Sequence, residues 1–151
     1  MPKIGNAING ALADDLRAAC RQAEEDPDVR GLMFAASGKL FCPGLDVLEL
    51  IELDRPAMDD FVGRLNACVL TLYTFPKPMV AALHGHTLAG GCVISLTADW
   101  RVLRRGALIG LNEVMVGVPL PFGVTNLLSK AVPAHRLEEV ALFGRNYQDN
   151  E

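Results

Sequence analysis

The stretch KPMVAALHGHTLAGGCVISLTADWRVL, residues 77–103, decides the fold. Pro76 and Pro78 end whatever precedes it. Residues 79–83 then form a short unbroken apolar run, the pattern of a buried strand. The run enters His84-Gly85-His86, a turn, and Ala89-Gly90-Gly91 opens an apolar helix that reaches about Ala98. Residues 100–103 read as the next strand. A strand, a crossover helix and another strand imply parallel pairing with a right-handed connection.

On the N-terminal side, residues 9–25 read as an amphipathic helix. Leu12, Leu16, Ala19, Cys20 and Ala23 share one face, Asn9 is placed to cap, and Pro27 ends it. Asp14 and Asp15 lie near its start, where the helix dipole favours them. Residues 29–36 read as a buried strand and residues 56–73 as a second helix, with Phe61, Leu65, Cys68 and Leu72 as its stripe. On the C-terminal side, residues 107–111 read as a short strand, and residues 125–131 and 134–143 as helices. The order is α-β-α-β-α-β-β-α-α, an α/β chain with parallel strands.

The whole of residues 1–151 is expected to form one domain, because 151 residues suit a single core. Half the residues are hydrophobic and 21% are charged, a globular composition. The net charge of −4 carries no basic stripe of the kind nucleic acid needs, and no run reaches the length of a membrane span. The four cysteines show no C-x-x-C spacing, so they read as buried thiols of a reducing compartment. With no leader pattern at the N-terminus, the expected location is cytoplasmic.

Three segments are able to carry chemistry. In the glycine block, Ala89-Gly90-Gly91 bares backbone N–H groups at a helix start, a place for an oxyanion; tight helix–strand packing is the alternative use of the same glycines. In FCPGLDVLEL, residues 41–50, the turn Pro43-Gly44-Leu45-Asp46 offers further N–H donors, while Asp46 alone reads best as a cap. In IGLNEVMVGVPLPFG, residues 109–123, Glu113 stands among apolar residues. Desolvation would raise its proton affinity, as a general base requires; an exposed loop acid is the other reading. His84 and His86 lack a third ligand and specify no metal site. Arg101, Arg104 and Arg105 read as a solvated surface, with contact to phosphates as a lesser option.

Taken in order, these segments resemble the crotonase (enoyl-CoA hydratase/isomerase) superfamily. The motifs are Asn6-Ala7-Ile8-Asn9, FCPGLDVLEL, the strand of residues 77–85, Leu88 to Cys92 with Asp99 and Arg101, IGLNEVMVG, and Phe143-Gly144-Arg145. The resemblance implies a ClpP-like spiral of ββα repeats that binds acyl-CoA in a bent conformation. It implies an oxyanion hole from the backbone N–H groups of Leu45 and Gly90, and CoA contacts around Pro43, Leu45 and Val47. Leu88, Val93, Met115 and Phe122 are the candidates for an acyl pocket, with core packing as the equal alternative for each. Relative to the family, the N-terminal hairpin and the C-terminal helical region are expected to be missing, which leaves a sheet edge unpaired. The family assembles as trimers, so a homo-oligomer is the implied state.

Hydratases of this family carry two glutamates; here one position is Val93 and the other is Glu113. One base moves a proton from one carbon to another, a pattern similar to the Δ3,Δ2-enoyl-CoA isomerases. The resemblance therefore implies isomerisation of a 3-enoyl-CoA with Glu113 as base, no metal, and no cofactor beyond the coenzyme A of the substrate. The competing implications are another one-acid activity (hydratase, thioester hydrolase or dehalogenase-like) and a non-catalytic CoA-binding or assembly fragment.

Overall fold

The computed structural model describes residues 5–148; the extreme ends of the expected 1–151 domain lie outside them. The chain starts with α1 (Gly10–Glu25), and the Asn9 side chain accepts from the Leu12 N–H at 2.9 Å as its cap. The backbone turns out of the helix at Asp26, ahead of Pro27. Lys77 Nζ then donates to the Ala23 and Asp26 carbonyls, both at 2.6 Å, and satisfies oxygens the helix end leaves open. α1 packs on α3 (Arg55–Tyr73). Ala13, Cys20 and Cys68 bury small side chains there, so the helices approach closely, and Leu72 fills the space beside them. Ala19, expected on the buried face, is exposed, and Ala13 takes its place. Asp14 serves α1 less through the dipole than through an ion pair with Arg64 of α3.

A first sheet holds β1 (Leu32–Phe34), β2 (Met79–Leu83) and β4 (Trp100–Leu103) in the order β1-β2-β4, all parallel. The expected strand over residues 29–36 shortens to three residues in β1. A second sheet holds β3 (Thr87–Leu88), β5 (Ile109–Gly110) and β6 (Asn146–Tyr147). Here β3 pairs with β5 in parallel, but β6 returns antiparallel to β5. That last pairing differs from the all-parallel expectation, and strands of two residues leave no periodicity to read.

α4 (Gly90–Leu96) joins the two halves of the core. Its Ile94 packs in the first apolar cluster with Leu83, Ala81 and Leu72, and its Cys92 and Val93 pack in the second with Leu111, Leu127 and Leu128. A helix apolar all round must be buried, and residues 91–95 are. α5 (Phe122–Ala131) and α6 (Leu137–Leu142) close the second cluster through Val124 and Val140. The four cysteines are free thiols, all buried. The outer face of the first sheet stays bare, with Met33 and Trp100 each 69% exposed on either side of Val80. Among the described residues no helix is long and apolar enough to cross a membrane.

The α1–α3 contact makes a direct prediction. Leu72→Ala should cost about 2–5 kcal/mol in urea unfolding, since it empties a fully buried site. Leu70→Ala, on the exposed side of the same helix, should stay within about 0.5 kcal/mol. Equal losses at both positions would show that α3 buries a different face.

Candidate active site

The segment from Phe41 to Asp46 is clamped on both sides. On one side Ile8 donates its N–H to Gly44 O at 2.8 Å, and Asp46 N–H donates to Ile8 O at 2.8 Å. On the other, Phe41 and Cys42 N–H both donate to His86 O, at 3.1 and 3.2 Å, and Leu88 N–H donates to Cys42 O at 2.9 Å. The early Asn-Ala-Ile-Asn element thus does more than start a helix. Asn6 Nδ2 reaches the carbonyls of Ser37, Leu40 and Phe41, and Ile8 forms a bridge to Leu45.

These bonds press the loop against the glycine block. Gly44 has φ of +120°, and a Cβ on it would lie 2.9 Å from Ala89 Cβ and 3.6 Å from Gly90 N. A Cβ on Gly91 would lie 2.5 Å from Cys42 O, a contact real side chains do not make. The Leu45 side chain in turn reaches the space a Cβ on Gly90 would enter, at 3.1 Å. The two implied oxyanion residues are therefore close neighbours. Among the described residues neither the Leu45 nor the Gly90 N–H donates to a backbone carbonyl.

Ala89 orients the Gly90 N–H. It has φ 47° and ψ −125°, a conformation that costs a non-glycine residue about 1–3 kcal/mol. Its N–H donates to Gly110 O at 2.9 Å, and its carbonyl accepts from Val93 N–H at 3.0 Å. The bend turns the chain from β3 into α4 within one residue. No sequence signal marks this strain, because alanine there reads as ordinary helix.

Asp46 caps α2 (Val47–Leu50), accepting from Glu49 N–H at 3.3 Å. Of the backbone groups implied in CoA contacts, Val47 N–H already donates to Leu45 O at 3.0 Å, and Pro43 has only a carbonyl to offer. Arg101 is not the solvated arginine expected. Its Nη1 donates to Ser95 O at 3.2 Å and Ala98 O at 2.6 Å, which closes the end of α4. Asp99 accepts from Met79 N–H at 2.8 Å and ties the same turn to β2.

Glu113 opens a 3-10 turn, Glu113–Val116, directly after β5. The residue is half-buried, and its Oε2 is buried with no hydrogen-bond partner. Burial raises its carboxyl above the ordinary glutamate range. The Cys92 thiol of α4 is pushed up to about 12, first by burial and then by the charge of Glu113. The carboxylate thus acts on the first turn of α4, next to the glycine pair. Of the four acyl-pocket candidates, Leu88 is half-buried in β3 and Val93 lies within the second core cluster. Met115 and Phe122 are exposed, Phe122 to 88%. A cavity of about 620 Å³ between α1, β1 and the Phe41–Asp46 loop is lined by none of the four.

The desolvated acid has a measurable consequence. A carboxyl whose folded pKa is raised binds its proton more tightly when folded, so stability falls as pH rises through that value. Glu113→Gln removes the penalty. The variant should be more stable than the parent at neutral pH, and its advantage should fade below the ordinary glutamate pKa. An advantage independent of pH would mean the carboxyl is not desolvated.

Residues 1–151 match the enoyl-CoA hydratase/isomerase family. The human enoyl-CoA hydratase domain-containing protein 2, mitochondrial, is 30% identical over 151 residues, covering 99% of this chain and 52% of that protein. A probable mitochondrial enoyl-CoA hydratase of Dictyostelium discoideum is 30% identical over 145 residues, 96% of this chain and 52% of that one. The crystal structure of an enoyl-CoA hydratase from Bacillus anthracis superposes with a TM-score of 0.91 at 25% identity, over 99% of this chain and 58% of that one. The chain spans about half the length of the curated relatives it matches. With its paired loops, its strained turn and its desolvated acid, the chain belongs to the enoyl-CoA hydratase/isomerase family.

Proposed function

We propose that the protein binds an acyl-CoA thioester between the Phe41–Asp46 loop and the glycine block and isomerises a 3-enoyl-CoA to the 2-enoyl-CoA. The observation that carries this reading is Glu113: a buried carboxylate oxygen with no partner, raised by desolvation, beside a helix that has no acid of its own. Its unmet bonding capacity suits a group that takes a proton from carbon.

In this reading the thioester oxygen lies between the Leu45 and Gly90 N–H groups. Glu113 removes a C2 proton, and the electron pair passes through the thioester to the oxygen as a dienolate. Donors held in place by the clamped loop stabilise that charge without reorganising, an effect of about 3–4 kcal/mol per donor in comparable holes. Glu113 then returns the proton to C4. The double bond ends conjugated with the carbonyl, and the balance needs neither metal nor redox partner. Val93, buried in α4, supplies no second acid to hold a water.

Association of copies fits the same reading. Met115 and Val116, in the turn that Glu113 opens, and Phe122, at the start of α5, are exposed apolar residues, and exposed apolar surface, where contiguous, marks contact sites.

Incubation with 3-hexenoyl-CoA should yield the conjugated thioester by absorbance, with kcat/KM rising with pH through a value above the ordinary glutamate range. Glu113→Gln should lower the rate by about 10²–10⁴-fold. Hydration of a 2-enoyl-CoA as the faster reaction would replace isomerisation with the activity named in the relatives. Turnover unchanged by Glu113→Gln would remove Glu113 from the chemistry.

A further inference from the structure

A second pocket, of about 200 Å³, lies at the carboxyl ends of the parallel strands. It is lined by Lys39, beyond β1, by His84 and His86, beyond β2, and by Arg104 and Arg105, beyond β4. Five of its eight lining residues carry basic side chains and none is acidic. Like charges gathered in one small space repel, and among the described residues no ion pair offsets Lys39 or Arg104.

The fold holds these groups in place from three directions. The main chain of Lys39 runs against Gly85, where a Cβ would meet its carbonyl oxygen at 2.6 Å. His84 Nε2 lies 3.0 Å from Gly38 O, so this nitrogen donates. His86 Nδ1 accepts from Leu108 N–H at 2.9 Å, which leaves Nε2 as the donor of that ring. Arg104 Nη1 reaches His84 O at 3.5 Å. The backbone thus orients both imidazoles, and open α/β sheets place ligands at the carboxyl ends of their strands.

We infer that this pocket is a binding site for a phosphate group, recognised by Lys39 and Arg104 with a donor from His86. Glu113 does not line this pocket, and the inference does not rest on the isomerase reading. Two sources present the same group: a phosphate of coenzyme A, and a free or differently carried phosphate.

The test is a titration of the folded protein with inorganic phosphate at constant pH and ionic strength, following the Cε1–H resonances of its three histidines. His135, in the exposed turn before α6, serves as the internal reference. Saturable shifts of His84 and His86 with His135 unmoved are expected. Arg104→Gln and Lys39→Gln, both at exposed positions, should each weaken binding about tenfold, as loss of one charge-assisted contact does. Displacement of phosphate by CoA but not by 3′-dephospho-CoA would assign the site to the 3′-phosphate. Displacement by both would assign it to the diphosphate, and by neither to a different phosphorylated ligand; all three keep the site. Parallel shifts of all three histidines, no saturation, or unchanged affinity in both variants would overturn it.

Discussion

Everything at the candidate site hangs on how Cys42 and Gly44 are pinned. The Cys42 carbonyl accepts from Leu88 N–H, the Gly44 carbonyl accepts from Ile8 N–H, and Gly91 leaves room for the first of these by having no side chain. These contacts join residues far apart in sequence, and they set the separation of the Leu45 and Gly90 N–H groups. A donor pair stabilises developing charge only if its spacing is fixed before the substrate arrives. Hydrogen bonds among backbone groups achieve this better than flexible side chains would, because little rotamer freedom is left to lose.

The costs of the site are local and its support is distributed. Ala89 is strained, and Glu113 is denied the solvation a carboxylate prefers. Each departs from its own local optimum, which is common where function is placed. The support comes from α4, whose seven residues contribute to both apolar clusters. Moving α4 to relax Ala89 would open two cores at once. The ties of Arg101 and Asp99 at its far end serve the same purpose.

How far this was legible varied by element, for physical reasons. β2 was read with its full bounds, since an unbroken apolar run between proline and a glycine turn admits few alternatives. α1 and α3 were legible through caps and stripes, although Ala19 and Ala13 exchanged roles because both are small enough to suit either face. β3 and β6 were missed; two residues carry no period. The clamp by Ile8 was invisible, as it is made of backbone groups only. Glu113 was read two ways from its neighbours, and only its buried, unpartnered oxygen separates them. Arg101 looked solvated because its acceptors are carbonyls three and six residues back. The family was legible from the order of six motifs, none of which is specific alone.

The central claim is that the Leu45 and Gly90 N–H groups jointly receive the oxygen of a CoA thioester. Amide proton resonances and exchange rates of these two residues, followed while a 3-oxoacyl-CoA binds, test it most directly, since the enolate of that compound carries its charge on the same oxygen. The account predicts that both amides shift downfield and exchange more slowly, together and with one affinity. Binding that leaves either amide unchanged would contradict it.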